Sequence, residues 1–308
     1  MSVAVKPAAL KVDDLIGIVA PASSAEPELV ERGEGELRKL GFRTQRRVDL
    51  LAQDLFFAGP VERRSKEIME MFANSAVGGV FCVRGGYGAG YLPPTLNLEF
   101  LRPHPKVFMG YSDITMLQQF FRRELNWVVF QGPMVASGFS EGDRGYNRAS
   151  FELAVMQNRS GWTLPWEGEM IRPGEAQGIL EGGCLSLLAA GIGTACEIET
   201  SGAILFMEDT GVKPYQVDRM LLQLRAAGKF RDVRGIVFGK MPDCNPPGQK
   251  YNLLDVLRRF FHDFSVPVGF GLPAGHVDGP QLTLPLGVPA RLTVTDEMKL
   301  EILEPAVR

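Results

Sequence analysis

Short apolar runs alternate with amphipathic segments through the first half of the chain. The apolar runs have the length of buried strands, and the amphipathic segments repeat their apolar residues at helical spacing. We predict strands at residues 15–20, 79–83, 106–110 and 127–130, and helices at 28–40, 61–72 and 113–123. This alternation is typical of a doubly wound α/β domain, in which helices cover both faces of a parallel sheet.

The pattern changes near residue 158. Gly, Pro, Trp and charged residues replace the alternation up to residue 174, which predicts a linker at 156–174 between a domain at 1–155 and a second domain at 175–308. The second half combines helical segments with strands, which we predict at 203–208, 235–239, 281–284, 290–295 and 299–303. These strands predict a C-terminal α/β domain that is rich in β structure.

The composition agrees with a globular protein of two domains. The chain has 308 residues, of which 45% are hydrophobic and 22% are charged, and a domain usually has about 100–200 residues. Its net charge is −3, from 33 basic and 36 acidic residues, so it lacks a basic footprint for nucleic acid. No apolar run reaches the length of about 20 residues that a membrane helix needs, and no signal peptide pattern begins the chain. We therefore expect a cytoplasmic protein that binds neither nucleic acid nor membranes.

Metal and cofactor motifs are missing from the sequence. The three histidines show neither HxH nor HExxH spacing, and the four cysteines form no CxxC pair. The glycine-rich loop at 84–90 has neither the GxGxxG spacing of a dinucleotide site nor a P-loop pattern. We expect reduced cysteines, no metal and no cofactor. The loop nevertheless follows a predicted strand, at the edge of the sheet where ligands usually bind.

One serine follows an apolar strand directly and precedes a predicted helix, in the order Gly110-Tyr111-Ser112-Asp113. Such a turn exposes a nucleophilic hydroxyl, and the backbone N–H of the next residue can stabilise an oxyanion. The motif departs from GxSxG, because Ile114 occupies the last position. The alternative is that Ser112 only caps the helix, which is a frequent role of serine.

A serine nucleophile needs a base, and the chain offers three histidines. His104 precedes the strand that leads to Ser112 and would lie at its far end, and His262 falls on a predicted helix. His276 follows Gly275 in a turn just past a strand, where it can reach a cleft. A surface role remains the alternative for each of the three.

A carboxylate ends one of the apolar strands of the second half. Glu208 closes the strand at 203–208, where a buried charge requires a partner. It can orient a catalytic histidine. Alternatively, Glu208 or the adjacent Asp209 caps the strand or pairs with Lys213 or Arg219.

Several short motifs follow one another in a distinctive order. They are GIVAPAS at 17–23, FAG at 57–59, RGGYG at 84–88, GYSD at 110–113, GPM at 132–134, GG at 182–183, ED at 208–209, GH at 275–276 and LPLG at 284–287. Together they resemble the LD-carboxypeptidase family, the serine peptidases that include murein tetrapeptide LD-carboxypeptidases and microcin C self-immunity proteins. The resemblance extends over nearly the whole chain.

This resemblance implies a catalytic triad of Ser112, Glu208 and His276 in a site between the two domains. It implies an oxyanion hole made by the backbone N–H groups of Asp113 and Gly86. It also implies an N-terminal domain like that of class I glutamine amidotransferases, and a homodimer.

The implied activity is hydrolysis of the L-centre–D-alanine bond of murein tetrapeptides in cell-wall recycling, without a cofactor. Arg84, Gly85 and Tyr87 are candidates for binding this small peptide substrate. Arg84 could face the terminal carboxylate or form a structural ion pair, and Gly85 is the alternative to Gly86 in the oxyanion hole.

Two positions depart from the usual pattern of the family. Gln131 stands where the family often has His, and Cys184 stands where it often has Asn, which makes a thiol with a lowered pKa a rival nucleophile.

Three other functions compete with the carboxypeptidase. The first is a microcin C-type immunity hydrolase that cleaves aminoacyl or peptidyl sulfamoyl adenylates. Its relatives carry a long aromatic insertion where this chain has only Trp162 and Trp166 in a short segment. The second is a non-catalytic protein that binds a small ligand. The third is an amidase related to glutamine amidotransferases, which a serine in place of cysteine at the elbow disfavours.

Overall fold

A computed structural model describes residues 4–245, 247–248 and 250–308, so five residues of the two predicted domains lie outside the described part. Its strands are β1 (Leu15–Val19), β2 (Arg43–Arg46), β3 (Val77–Cys82), β4 (Val107–Gly110), β5 (Val129–Gln131), β6 (Trp162–Trp166), β7 (Glu169–Arg172), β8 (Gly174–Cys184), β9 (Ala203–Glu208), β10 (Gly235–Gly239), β11 (Val268–Leu272), β12 (Leu284–Leu286), β13 (Pro289–Val294) and β14 (Met298–Ile302). Its α-helices are α1 (Pro27–Lys39), α2 (Val61–Ala73), α3 (Leu98–Leu101), α4 (Thr115–Leu125), α5 (Arg148–Val155), α6 (Leu185–Ala190), α7 (Pro214–Ala226) and α8 (Leu253–Phe260).

The first sheet has six strands in the order β12-β5-β4-β3-β1-β2. The five strands from the first half pair in parallel, because each pair is connected by a crossover that contains a helix or a long loop. Their residues are almost entirely buried in β1, β3, β4 and β5, as expected for a parallel sheet that is covered on both faces. The predicted α/β class is confirmed for this half of the chain.

The second sheet has eight strands in the order β6-β14-β13-β8-β9-β10-β11-β7. Its middle strands β8 to β11 are parallel, whereas the flanking pairs are antiparallel. Helices α6, α7 and α8 pack against one another and share a second apolar core with β9 and β10. The sheet is therefore mixed and rich in β structure, while the likeness to glutamine amidotransferases stays a prediction.

Two segments have a secondary structure that differs from the one predicted from the sequence. The predicted linker at 156–174 contains β6 and β7, which pair with β14 and β11 of the second sheet. The strand predicted at 281–284 lies at Leu284–Leu286 instead, and it pairs antiparallel with β5 of the first sheet. The C-terminal half thus supplies an edge strand to the first sheet, and the division into domains stays a prediction.

The residues that the sequence singled out lie at the carboxyl ends of parallel strands in both sheets. Ser112 follows β4 of the first sheet, Glu208 ends β9, and His276 follows β11 of the second sheet. No helix among the described residues is both long enough and apolar enough to cross a membrane.

Candidate active site

Ser112 lies in a strained turn at the end of β4. Its φ of 62° falls in the left-handed region, which residues other than glycine rarely adopt. A short 3₁₀ turn at Ser112–Ile114 leads into α4, whose N-cap is Ile114 rather than the serine. The hydroxyl of Ser112 has no hydrogen-bond partner among the described residues. The alternative that Ser112 is a helix cap is therefore wrong, and the half-buried serine has the left-handed turn conformation that a nucleophile elbow requires.

His276 and Glu208 form the central hydrogen-bonded pair of the site. The Nδ1 atom of His276 lies 2.7 Å from Oε2 of Glu208, and the backbone N–H of His276 donates to the same oxygen at 2.9 Å. Because an ionised carboxylate only accepts hydrogen bonds, the ring proton lies on Nδ1 and Nε2 is left as the basic nitrogen. The pairing of Glu208 with Lys213 or Arg219 is thereby excluded.

Missing side chains at two glycines create the space for this pair. A Cβ atom on Gly239, at the end of β10, would lie 2.7 Å from Cβ of Glu208. A Cβ atom on Gly275 would lie 2.3 Å from Cδ of the same glutamate. The loop after β11 can therefore reach across β10 to Glu208 of β9, and the carboxylate is fully buried.

A pocket of about 360 Å³ brings the predicted residues of both sheets together. Its walls include Ser112, His276, Arg84, Gly85 and Gly86. The structure contains no direct hydrogen bond between Ser112 and His276, as is common for catalytic groups before substrate binds. A larger pocket of about 540 Å³ contains none of these residues.

The glycine loop lies directly against the serine. A Cβ atom on Gly85 would come within 2.7 Å of Cβ of Ser112 and 3.2 Å of the backbone nitrogen of Asp113. The backbone N–H groups of Gly86 and Asp113 take part in no hydrogen bond among the described residues. Gly86 lines the same pocket as Ser112, so its N–H is a candidate oxyanion donor together with that of Asp113. Gly85, whose N–H likewise has no partner among the described residues, stays the alternative donor.

The electrostatics of the pocket favour a histidine that can act as a base. Burial lowers the pKa of His276, but its hydrogen bond to Glu208 and the charges of Glu208 and Asp209 outweigh burial, so that the pKa lies above its usual 6.5. An edge-to-face contact with Tyr111, with ring centroids 5.1 Å apart, holds the other side of the imidazole.

We expect the reactivity of Ser112 to fall at acid pH, because a protonated His276 cannot accept the serine proton. The rate at which a fluorophosphonate labels Ser112 should fall about tenfold per pH unit below the pKa of His276. This acid limb should have its midpoint above pH 6.5 because the folded environment raises that pKa. A labelling rate that is independent of pH between 5 and 8 would contradict the role of His276.

We expect the substitution Gly275→Ala to destabilise the protein, because Gly275 has a φ of 80° and touches the buried carboxylate. The free energy of unfolding should fall by about 2–4 kcal/mol, from backbone strain together with overpacking. Gly279→Ala is the matched control, since Gly279 has a φ of 117° but a Cβ atom added there would meet no other atom within 4 Å. Equal losses in the two variants, measured by urea unfolding, would show that the contact with Glu208 is unimportant.

The rival nucleophile is disfavoured by its surroundings. Burial raises the pKa of the Cys184 thiol well above its usual value, and the charges of Glu208 and Asp209 raise it further. A thiolate at this position is therefore unfavourable. Asp209 accepts the backbone N–H groups of Ser186 and Thr210, which leaves Glu208 as the acidic residue facing His276.

The remaining predicted residues fall in different places. Arg84 is exposed at the pocket wall and donates to the backbone oxygen of Ser24 at 3.4 Å. Tyr87 is half-exposed and packs with other aromatic rings, while its N–H donates to Oγ of Ser23. Their roles in substrate binding stay predictions, and Gln131 is completely buried in β5.

The other histidines lie elsewhere. His104 hydrogen-bonds the backbone oxygen of Phe100 before β4 begins, at the far end from Ser112 as predicted. His262 is exposed in a turn after α8. Among the residues that the structure describes, no group of three His, Cys, Asp or Glu side chains could hold a metal ion.

Two buried charged side chains contact the glycine loop, those of Arg64 and Asp113. Arg64 is among the residues that carry the family resemblance, but the sequence alone assigned neither side chain a role at the loop. A signal for Arg64 was present, because it shares a helical face with the apolar residues Ile68 and Phe72 of α2. An arginine on such a face requires buried partners.

A serine and a histidine in one pocket, with a buried carboxylate hydrogen-bonded to the histidine, are the groups that a serine peptidase uses. Two family models match this chain: the LD-carboxypeptidase N-terminal domain over residues 16–132 and the LD-carboxypeptidase C-terminal domain over residues 177–292. The chain therefore belongs to the LD-carboxypeptidase family.

Individual relatives match almost end to end. A probable murein peptide carboxypeptidase of Bacillus subtilis (strain 168) is 33% identical over 98% of this chain and 95% of its own. The microcin C7 self-immunity protein MccF of Escherichia coli is 28% identical over 91% of each chain. The crystal structure of muramoyltetrapeptide carboxypeptidase from Oxalobacter formigenes superposes with a TM-score of 0.85, at 31% identity over 94% of this chain and 99% of that one.

Proposed function

We propose that this protein is a serine-type LD-carboxypeptidase that removes the terminal D-alanine from murein tetrapeptides. The observation that carries the proposal is the hydrogen bond of His276 to the buried Glu208, with His276 lining the same pocket as the strained Ser112. The names of the Bacillus and Oxalobacter relatives support the substrate class.

In the proposed reaction, Oγ of Ser112 attacks the carbonyl carbon of the L-centre–D-alanine bond. Its proton passes to Nε2 of His276, while Glu208 stabilises the imidazolium that forms. The carbonyl oxygen becomes an oxyanion that accepts hydrogen bonds from the N–H groups of Gly86 and Asp113, each contributing about 3 kcal/mol to the transition state.

Collapse of this intermediate breaks the C–N bond. The proton on His276 moves to the nitrogen of D-alanine, which leaves as the amine, and an ester to Ser112 remains. Water then attacks the ester, giving its proton to His276, and the same oxyanion donors act a second time. The serine regains that proton as the shortened peptide leaves with a new carboxylate. In this proposal Arg84, which lines the pocket, pairs with the terminal carboxylate of the substrate.

A second candidate activity is hydrolysis of aminoacyl or peptidyl sulfamoyl adenylates, which the similarity to MccF favours. The tryptophans of the predicted linker argue against it. Trp162 and Trp166 lie in β6 with exposures of 3% and 8%, and Trp166 donates its ring N–H to the backbone of Phe270. Neither ring is available to stack on a base.

The decisive experiment offers both substrates to the purified protein. We expect stoichiometric release of D-alanine from a murein tetrapeptide and slower hydrolysis of an aspartyl sulfamoyl adenylate, both followed by liquid chromatography. Faster turnover of the adenylate would favour the immunity function. Turnover of neither, together with no labelling of Ser112 by a fluorophosphonate, would favour a non-catalytic binding protein.

The homodimer that the family resemblance implies and the cytoplasmic location expected from the sequence patterns are part of this proposal. Sedimentation equilibrium should give twice the chain mass of 33.8 kDa. A mass equal to one chain at micromolar concentration would remove the dimer from the proposal.

A further inference from the structure

The glycine loop at 84–90 has a conformation that its own backbone does not stabilise. Gly86 and Gly88 have φ values of 98° and 125°, and residues 84–88 belong to no helix or strand. Glycines lose much conformational entropy when they become ordered. Contacts from outside the loop must therefore hold Gly86 in place in the pocket that Ser112 also lines.

Two buried charged side chains hydrogen-bond to the same peptide unit of this loop, one at its carbonyl oxygen and the other at its N–H group. Arg64 donates from Nη1 to the carbonyl oxygen of Gly88 at 2.8 Å. The N–H group of Ala89, at the other end of that peptide, donates to Oδ2 of Asp113 at 2.7 Å. A cation on the carbonyl oxygen and an anion on the N–H polarise the peptide in the same direction, so the two bonds reinforce each other.

Both charges are nearly inaccessible, with exposures of 2% for Arg64 and 2% for Asp113. Arg64 also donates to the backbone oxygens of Pro21 and Gly59, at 2.6 and 3.2 Å. Burying two charges carries a large desolvation cost, and apolar residues would fill the same volume without that cost. The arrangement therefore favours a role in positioning over a role in stability alone.

A third side chain holds the loop on the other side of Gly86. The backbone N–H of Ser23 donates to the oxygen of Gly85 at 3.2 Å, and its Oγ accepts the N–H of Tyr87 at 3.1 Å. These contacts bracket Gly86, whose own N–H is left without a partner among the described residues.

We propose that Arg64, Asp113 and Ser23 are positioning residues of the oxyanion hole, which together we call the loop clamp. They hold the loop so that the N–H of Gly86 faces the oxygen that becomes negative during attack by Ser112. Asp113 directly follows the nucleophile, so its side chain ties the loop to the serine while its backbone N–H supplies the second donor. This inference rests on the proposed function.

The test compares Asp113→Ala with Asp113→Asn in the full chain. Asp113→Ala should lower kcat for D-alanine release by about 10²–10³-fold, the cost of losing one oxyanion donor, with KM changed less than threefold. Asp113→Asn keeps an oxygen that accepts the N–H of Ala89, so its kcat should recover to within about tenfold of the natural protein. If Asp113 had only a structural role, kcat would not fall selectively while KM stayed nearly constant.

A second readout isolates the oxyanion hole. A peptidyl boronic acid forms a tetrahedral adduct with a serine nucleophile, whereas the tripeptide product binds without one. Asp113→Ala should weaken binding of the boronic acid in proportion to the fall in kcat/KM, and it should leave the affinity for the tripeptide unchanged. Equal weakening of both ligands, or a natural kcat, would overturn the proposal.

The control is Glu181→Gln, which disturbs a buried carboxylate bonded to Arg122 at 2.6 Å outside the pocket. It should lower thermal stability without changing kcat. If Asp113→Ala does not fold, Ser23→Ala serves in its place and should lower kcat about tenfold by loss of one hydrogen bond; an unchanged kcat would remove Ser23 from the clamp. Failure of the proposed function itself is distinguishable, because the natural protein would then release no D-alanine.

Discussion

Replacement of Ser112 by alanine is expected to abolish release of D-alanine from a murein tetrapeptide. The fall in kcat should approach about 10⁶-fold, the loss seen when a serine nucleophile is removed from a triad that acts as a unit. Stability should not fall, since the hydroxyl makes no hydrogen bond among the described residues and alanine tolerates the φ of 62° no worse than serine. The measurement is single-turnover release of D-alanine, with the thermal midpoint recorded in parallel.

Ser65→Ala is the matched control for this experiment. Ser65 is buried in α2, its hydroxyl donates to the backbone oxygen of Thr95, and it does not line the pocket. Its kcat should stay within about twofold of the natural value, because Ser65 contacts neither the pocket nor the groups proposed for catalysis. Activity retained in Ser112→Ala would remove the serine from the mechanism and return Cys184 to consideration.

Replacement of Glu208 by glutamine is expected to lower kcat by about 10²–10⁴-fold, the range that orientation and proton transfer contribute in such triads. Oε2 of Glu208 accepts both bonds from His276, and Oε1 accepts none. The amide oxygen of glutamine can therefore keep both bonds while its NH₂ group occupies the place of Oε1. The substitution removes the charge and preserves the geometry.

Because it removes the charge of Glu208, the substitution Glu208→Gln should also shift the pH dependence of kcat/KM. Glu208 is a principal cause of the raised pKa of His276, against the lowering effect of burial. Without it, the pKa of His276 should fall, and the acid limb of kcat/KM should shift to lower pH. Glu181→Gln again serves as the control for removing a buried carboxylate. An unchanged kcat with an unmoved acid limb would show that Glu208 does not act on the histidine.

Local patterns were sufficient to predict much of this fold. The strands predicted at 203–208 and 235–239 have the observed bounds of β9 and β10, because uninterrupted apolar runs bounded by turn residues define buried strands. Helix α2 has the predicted start and extends one residue beyond the predicted end at residue 72. Buried central strands carry a strong local signal, since nearly all of their side chains must be apolar.

Edge strands carry a weaker local signal, and the segment predicted as a linker at 156–174 contains the two edge strands of the second sheet, β6 and β7. In β6 the residues Trp162, Leu164 and Trp166 are buried while the residues between them are exposed, which is the period of two expected for a strand. Pro165 and the surrounding Gly and charged residues suggested a linker instead. The strand pairs with β14, and proline is tolerated at such an edge.

The sequence by itself determined which residues have the chemistry for a peptidase: a serine after a buried strand, a carboxylate at a strand end and a histidine in a glycine turn. Only the tertiary structure decided that Glu208 and His276 meet, 68 residues apart, because the order β9-β10-β11 and the absent side chain of Gly239 open the way between them. It also decided that Arg64 and Asp113 hold one peptide of the glycine loop. Local periodicity reports which face of an element is buried, whereas contacts between distant segments depend on how whole sheets pack, which no short stretch of sequence encodes.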